Sequence, residues 1–145
     1  MLLTVTALAL AACSSPQPAA AFCATDPRVE TFSPGLASKG AAGMTAKILT
    51  ATPAPIQQGL NEWGIELLDS GGQPVDGATI DVKPTMPDHG HGSPTVATVT
   101  AQGQGHYDLS NINLSMRGVW LVTLVIASSQ GSDQVSFTFC VDGTS

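Results

Sequence analysis

The chain reads Val119-Trp-Leu-Val-Thr-Leu-Val-Ile-Ala127, then Ser128-Ser-Gln-Gly-Ser-Asp133, then Gln134-Val-Ser-Phe-Thr-Phe-Cys-Val141. The first stretch is a long apolar run, the second is small and polar, and the third alternates apolar with polar residues. Two such runs joined by a polar turn are typical of a β-hairpin. The residues expected to face inward in its second strand are Val135, Phe137 and Phe139.

Shorter segments of the same kind precede this hairpin, and turn-forming residues separate them about every eight to twelve positions. The strands expected in these segments lie at residues 26–33, 44–50, 62–69, 78–83, 95–101 and 106–112, with a turn-rich stretch at 34–43. No stretch has the spacing of an amphipathic helix. The sequence therefore predicts an all-β fold, an immunoglobulin-like antiparallel β-sandwich of roughly seven or eight strands.

The overall composition narrows the class of protein. A formal net charge of −6 argues against nucleic acid and anionic membrane surfaces as binding partners. A hydrophobic content of 43% is enough to form the core of one domain. Charged residues make up only 11% of the chain, which resembles an extracytoplasmic β-protein more than a helical cytosolic enzyme.

The N-terminal residues indicate export and a lipid anchor. Residues 1–12 are almost wholly apolar, too few to span a bilayer stably, and they end at Cys13 in the pattern Leu-Ala-Ala-Cys, which resembles a bacterial lipobox. We expect a lipoprotein signal peptide at 1–13, a flexible tether at 14–24 and the folded domain at 25–145. The expected location is the cell envelope, on the periplasmic side of the outer membrane or at the cell surface. An ordinary secretory signal with a chance cysteine is the alternative.

The other two cysteines form a pair once Cys13 is assigned to the lipid. Cys23 and Cys140 would meet in an oxidising compartment, where an even number of cysteines indicates disulfide bonding. We predict a disulfide that ties the start of the domain to its last strand. The alternative makes both residues metal thiolates, although they lie far from each other and from the histidines in sequence.

A proline- and histidine-rich segment at residues 84–94 reads Pro-Thr-Met-Pro-Asp-His-Gly-His-Gly-Ser-Pro. Its prolines restrict φ and remove ladder donors, and its glycines allow sharp turns, so we expect a stiff, irregular loop. If consecutive strands run up and down, the turn at 113–118 lies at the same end of the sandwich as this loop. Met116 is therefore expected at the same end as Met86, His89 and His91, and His106 at the far end.

Four residues from this end form the predicted metal site: Met86, His89, His91 and Met116. Thioether and imidazole ligands suit Cu(I), and imidazole also binds Cu(II), so the expected ion is copper. Zinc is the second choice, because structural zinc sites usually recruit free cysteines. The alternatives are that the histidines are solvated loop residues and that Met116 packs into the sandwich.

Three further residues are expected around the ligands. Asp88 could orient an imidazole by accepting its second N–H. Trp63 and Trp120 are each predicted to begin a strand at the same end. They are read as core aromatics, one of which could shield Cu(I) from oxidants.

A three-part pattern carries a family resemblance: Met86-Pro-Asp-His-Gly-His-Gly92, then Gly105-His-Tyr107, then Met116-Arg-Gly-Val-Trp120. Over about residues 45–141 the chain resembles the YtkA-like and FixH-like group of small extracytoplasmic β-sandwich domains. Some members sit beside copper handling, either cytochrome oxidase assembly or heavy-metal efflux, and the resemblance implies that context. The family pattern often has methionine where this chain has Asp88 or His89. A FixH protein carries a transmembrane helix, for which this chain substitutes the expected lipid anchor.

Catalytic signatures are missing from the sequence, which has no Gly-x-Ser-x-Gly elbow, no His-Glu-x-x-His and no phosphate-binding loop. We therefore predict a non-enzyme that binds a copper ion for delivery or sequestration, in copper homeostasis or oxidase assembly. A copper-accepting membrane protein is the expected partner. The alternative function is a metal-free immunoglobulin-like module for adhesion or assembly in the envelope.

Overall fold

Residues 23–142 are described by a computed structural model, and every regular element in that range is a β-strand. Residues 23–142 form no helix, so this range contains no helix that is long and apolar enough to cross a membrane. The nine strands are β1 (Leu36–Lys39), β2 (Thr45–Thr52), β3 (Gly59–Leu68), β4 (Thr79–Met86), β5 (His91–Gly92), β6 (Thr98–Gly103), β7 (His106–Leu114), β8 (Gly118–Ser128) and β9 (Gly131–Val141).

The strands form two antiparallel sheets, one with the order β1-β2-β3-β7-β6 and one with the order β5-β4-β8-β9. One hydrophobic core contains residues from both sheets. The predicted all-β, immunoglobulin-like antiparallel β-sandwich is therefore confirmed. The described residues contain nine strands instead of seven or eight, mainly because the two-residue β5 is too short to show a sequence pattern.

Period-two alternation builds the core as the sequence predicts. Trp63, Ile65 and Leu67 on β3 and the alternating apolar residues of β9 are buried. The Trp63 ring meets Phe137 and Phe139 edge-on, with ring centres 6.3 and 5.5 Å apart. Each large apolar side chain buried in this way contributes about 1.5–3 kcal/mol.

The first strand lies later in the chain than expected. No strand forms at 26–33, and β1 instead falls inside the stretch predicted to be turn-rich, where Leu36 to Lys39 pair with β2. Residues near Glu30 run beside β9: the Glu30 N–H donates to the Thr138 carbonyl (2.7 Å), and the Glu30 carboxylate accepts the Thr138 N–H (2.8 Å). The segment at 26–33 therefore lies along the edge of β9, but it does not form the regular hydrogen bonds of a strand.

The prediction of an irregular loop over residues 84–94 is wrong at both ends. β4 continues to Met86, and His91 and Gly92 return as β5. Pro84 is tolerated within β4 because its carbonyl accepts the Ser93 N–H (3.0 Å), on the side away from β8. The backbone N and O of a strand residue point to the same side. The nitrogen of Pro84, which has no hydrogen, therefore also points away from β8, and the proline removes no hydrogen bond between β4 and β8.

The two ends of the sandwich hold the turns that the up-and-down connectivity predicts. One end, which we call the histidine pole, contains the 87–90 turn, the 115–117 turn and Cys140, which pairs with Val119. The other end, which we call the opposite pole, contains the 104–105 and 129–130 turns and the 40–44 turn. The predicted placement of Met116 at the same end as Met86, and of His106 at the far end, is confirmed.

Candidate metal centre

The two candidate histidines lie on a tight hairpin between β4 and β5. The Met86 carbonyl accepts the N–H groups of His89 (3.1 Å) and Gly90 (2.9 Å), and Met86 then pairs with His91. Gly90 has a φ of 69°, a conformation that glycine adopts without steric cost. This closed turn fixes the backbone of both histidines relative to β4.

The imidazoles of His89 and His91 are exposed and close together, with ring centres 5.7 Å apart and planes at 67°. A metal–nitrogen bond of about 2.0–2.1 Å places a ring centre roughly 3.2 Å from the ion, so two rings sharing an ion lie about 4.5–6.4 Å apart, depending on the bond angle. The observed separation falls inside that interval. The distance between the two rings is therefore one that a shared metal ion allows.

Met86 occupies a different environment from the one expected of a loop ligand. It is the last residue of β4, belongs to the hydrophobic core and is 1% exposed. A Cβ added to Gly118 would lie 2.7 Å from the Met86 Cε, so the absence of a side chain at Gly118 makes room for this methionine. The interpretation of Met86 as a loop residue outside the core is therefore wrong, because β4 extends past Pro84 and turns Met86 inward.

Met116 lies in the turn between β7 and β8 at the histidine pole and is 43% exposed. Its backbone carbonyl accepts a hydrogen bond from the indole Nε1 of Trp120 (2.8 Å), and Trp120 is fully buried. A rigid core residue thus holds the turn while the Met116 side chain stays accessible. Met116 does not pack into the sandwich, which was the alternative for this residue.

Trp63 does not lie at the pole. β3 begins at Gly59, earlier than predicted, so Trp63 pairs with Leu109 well inside the sheet. Its side chain is 1% exposed, and its indole N–H has no hydrogen-bond partner among the described residues. Trp63 is a core aromatic, whereas Trp120 both fills the core and supports the Met116 turn.

Asp88 forms an ion pair with Arg28. We predicted that its carboxylate would accept a hydrogen bond from an imidazole, but it accepts from the arginine instead. Its two carboxylate oxygens accept hydrogen bonds from Nη1 and Nη2 of Arg28, both at 2.8 Å. Arg28 also donates from Nε and Nη2 to Asp26, at 2.9 and 2.6 Å. Arg28 therefore joins the histidine turn to the N-terminal segment of the domain.

Arg28 lowers the pKa values of the two carboxyl groups that it contacts, Asp26 and Asp88. Hydrogen bonds from the Arg28 side chain and backbone lower the pKa of Asp26 to about 2. The Arg28 side chain likewise holds the pKa of Asp88 below its ordinary value. Both carboxylates therefore stay ionised and paired with Arg28 at neutral and mildly acidic pH.

The predicted disulfide between Cys23 and Cys140 is confirmed, with their Cα atoms 5.4 Å apart. Cys23, Asp26, His89 and Gly118 line a shallow cleft of about 360 Å³, so the disulfide borders the histidine turn. Within residues 23–142, the sulfurs of Cys23 and Cys140 and the Asp142 carboxylate lie within 4.8 Å of one another. Because the sulfurs are bonded to each other, the alternative of two metal thiolates is not supported.

His106 lies at the opposite pole, as predicted from strand direction. Its Nδ1 is 3.0 Å from the Gln104 carbonyl, to which a protonated Nδ1 donates. Across the sheet its Cα partner is Glu66. His106 takes no part in the candidate metal centre and serves as an internal control for histidine substitutions.

Two residues of the site escaped the sequence analysis. Arg28 lies sixty positions before its partner Asp88, and no local pattern links them. Gly118 could have been suspected from its position beside the methionine-containing turn. Only the pairing of β4 with β8 shows that it faces Met86.

The sequence model of the YtkA-like family matches residues 39–125, more than half of the 145-residue chain. The chain belongs to the YtkA-like family. The matched range contains Met86, His89, His91 and Met116, which are the candidate ligands. It excludes the N-terminal segment with Arg28 and Cys23. The arginine that pairs with Asp88 on the histidine turn therefore lies outside the family's matched range. A search of curated protein sequences gave no match.

Two kinds of solved structure resemble this YtkA-like domain. A DUF4426 family protein from Pseudomonas aeruginosa PAO1 aligns with a TM-score of 0.53 at 12% identity, covering 74% of this chain and 98% of its own. FetP from uropathogenic Escherichia coli strain F11 aligns with a TM-score of 0.50 at 13% identity, covering 80% of this chain and 99% of its own. A copper-bound variant of FetP has also been solved, with a TM-score of 0.49 and the same identity. The likenesses to the DUF4426 family protein and to FetP as isolated show a shared fold and nothing more.

Proposed function

We propose that this YtkA-like domain is a non-catalytic binding domain that holds one copper ion at the histidine pole, for delivery or sequestration. The observation that carries the proposal is the paired exposure of His89 and His91, whose ring centres are 5.7 Å apart on a closed turn. Two imidazoles at this separation supply two ligands at little cost in side-chain ordering. Solvent access to both rings leaves the ion open to exchange with a partner.

A thioether completes the proposed site. Met116 is the better candidate of the two methionines, because its side chain is exposed at the histidine pole and Trp120 holds its backbone. Met86 supports the turn from beneath and would have to leave the core to reach the ion. We therefore assign Met116 as the third ligand. Met86 is the alternative third ligand.

Copper is favoured over zinc by the chemistry of these donors. Imidazole and thioether together suit a soft ion such as Cu(I), whereas zinc sites of structural type usually use cysteine thiolates. Both described cysteines are occupied by the disulfide. FetP, which shares the fold, has a copper-bound variant, but the proposal depends on the donors of this chain.

The test is a titration of the purified protein with Cu(I) against a competing chelator. We expect binding that weakens at least about 100-fold when His89 and His91 are both replaced by alanine, since the loss of two ligands exceeds the cost of losing one supporting contact. The matched control is His106→Ala at the opposite pole, which should bind like the wild type. Equal binding by the double variant and the wild type would contradict the proposal.

The same titration assigns the thioether. Met116→Leu should weaken Cu(I) binding and leave Cu(II) binding nearly unchanged, because a thioether is a soft ligand. Met86→Leu conserves volume in the core and should alter Cu(I) binding less. The reverse order would make Met86 the third ligand.

A second candidate function is a protein-binding module that uses the histidine pole without metal. The exposed side chains of Leu60 (61%) and Met116 (43%) at this end favour it, and the Gln58 side chain joins the two loops by donating to the Ser115 carbonyl (2.8 Å). If the wild-type chain shows no copper binding in the titration, that result supports this second function.

Anchoring in the cell envelope is part of the proposal, although Cys13 and the rest of residues 1–22 lie outside the described range. The disulfide supports an oxidising compartment. Cells given labelled palmitate should incorporate the label into the wild-type chain, and a Cys13→Ser chain should lack it. Label retained by the Cys13→Ser chain would contradict the lipid anchor.

A further inference from the structure

The four edge strands of the two sheets differ in how they are protected from pairing with another chain. β9 is flanked by the N-terminal segment through Glu30, and β1 is only four residues long. The third edge strand, β5, is two residues long, and the part of β4 that β5 leaves uncovered carries the Asp81–Lys83 ion pair. Short edges, covering segments and charges are the usual means of preventing edge-to-edge association.

The fourth edge strand, β6, lacks these protections. It is six residues long, five of its residues are exposed, and within the described part of the chain no strand pairs with its outer edge. It contains no proline and no charged residue, and indeed no Asp, Glu, Lys or Arg occurs between Asp88 and Asp108. The only irregularity is a register shift near its end, between Ala101 and Gly103.

An exposed apolar side chain lies just before this edge. Val96, two residues before β6, is 81% exposed, the highest exposure of any large hydrophobic residue in the range 23–142. Its neighbours Ala97 and Val99 pack against the core, so the segment is held in place while Val96 points outward. Val96 can therefore be covered by whatever pairs with β6.

We propose that two copies of this chain associate by antiparallel pairing of β6 with β6 across a two-fold axis. Such pairing satisfies the free N–H and C=O groups of both edges and places threonines opposite one another on the exposed face. A chain with a net charge of −6 repels its own copies, and an uncharged edge is where that repulsion is least. The β6 edge is thus self-complementary, which is the ground for assigning it to a second copy of the chain.

The size of the edge sets the strength of the association. A six-residue strand pair with one flanking valine from each copy buries less than the roughly 1,200 Å² typical of stable complexes. We therefore expect a weak dimer with a dissociation constant in the micromolar to millimolar range.

The test is sedimentation equilibrium of the purified full-length chain over a range of concentrations. The average mass of the wild type should rise with concentration from 14.8 kDa toward twice that value. Thr100→Lys and Thr100→Glu each place like charges on facing strands, so each variant alone should stay at the mass of one chain. An equimolar mixture of the two variants should regain the dimer, because the facing charges are then opposite.

The matched control is Gln134→Lys, which adds the same charge on exposed β9 and should dimerise like the wild type. The mixing experiment also shows that the Thr100 variants are folded and able to pair. A wild-type chain that stays at 14.8 kDa at all concentrations overturns the proposal and leaves the edge to a peptide partner. Association that persists in both Thr100 variants, as it would if the apolar N-terminus caused it, also overturns the proposal.

Discussion

Replacing both Cys23 and Cys140 with serine is expected to lower the free energy of unfolding by about 4–5 kcal/mol. The disulfide joins residues 117 positions apart, and closing a loop of that length removes much of the conformational entropy of the unfolded chain. The loss is a large part of the total stability of a domain of this size, which is typically about 5–15 kcal/mol. We expect the variant to be only marginally folded.

The measurement is urea unfolding followed by the fluorescence of Trp63 and Trp120, both buried in the native state. Reducing the wild type with dithiothreitol should lower its stability by a similar amount, and the double serine variant should not respond to the reductant. A loss below about 1 kcal/mol would show that the loop-closure argument fails for this chain.

Replacing Asp133 with alanine is expected to cost about 3 kcal/mol, the second largest effect that we anticipate. The Asp133 side chain is buried at the opposite pole, where its carboxylate accepts the N–H groups of Ala42 (3.1 Å), Met44 (2.9 Å) and Gln134 (2.8 Å). It thereby ties the β1–β2 turn to β9 in the other sheet. Alanine would leave several partly buried donors without a partner.

The same carboxylate makes stability depend on pH. Burial raises the pKa of Asp133, but the backbone N–H groups of Ala42, Gln134 and Met44 lower it by more, so its pKa lies below the ordinary 3.8. A depressed pKa stabilises the folded state above pH 3.8, and this contribution is lost as the pH falls below that value.

Wild-type stability should therefore decline below pH 4 more steeply than that of Asp133→Ala, which lacks the group. Thermal unfolding at several pH values measures the difference. Asp81→Asn, on the exposed face of β4, is the matched control and should change the free energy of unfolding by less than about 0.5 kcal/mol at neutral pH. Parallel pH profiles for the wild type and Asp133→Ala would contradict the assignment.

Local patterns in the sequence were enough to predict the sandwich. Alternation in β3 and β9 identified the buried face of each strand, and the direction of consecutive strands placed Met116 at the same end of the sandwich as the histidines. These features depend on neighbouring residues or on short connections, which a single sequence records directly.

Features that depend on distant partners were not predicted. β1 is a strand because β2 pairs with it, and residues 26–33 are not a strand because they meet β9 through Glu30. Met86 was interpreted as a loop residue because prolines surround it. Its burial follows from the register of β4 against β8, to which a proline on the β5 side is no obstacle.

The candidate site was predicted in part for the same reason. Two histidines separated by one residue suggested a shared ligand position, and the tight turn places their rings together. The pairing of Asp88 with Arg28 is a contact across sixty residues and leaves no mark in the local sequence.

The bond between Cys23 and Cys140 also constrains how the protein matures. Among residues 23–142, Cys23 precedes every strand and Cys140 lies in the last one. The disulfide can therefore form only after the chain as far as Cys140 has emerged from the ribosome or the export machinery. A chain interrupted before Cys140 would keep Cys23 as an unpaired thiol open to quality-control enzymes. A chain with the disulfide between Cys23 and Cys140 has therefore been synthesised at least as far as its last described strand.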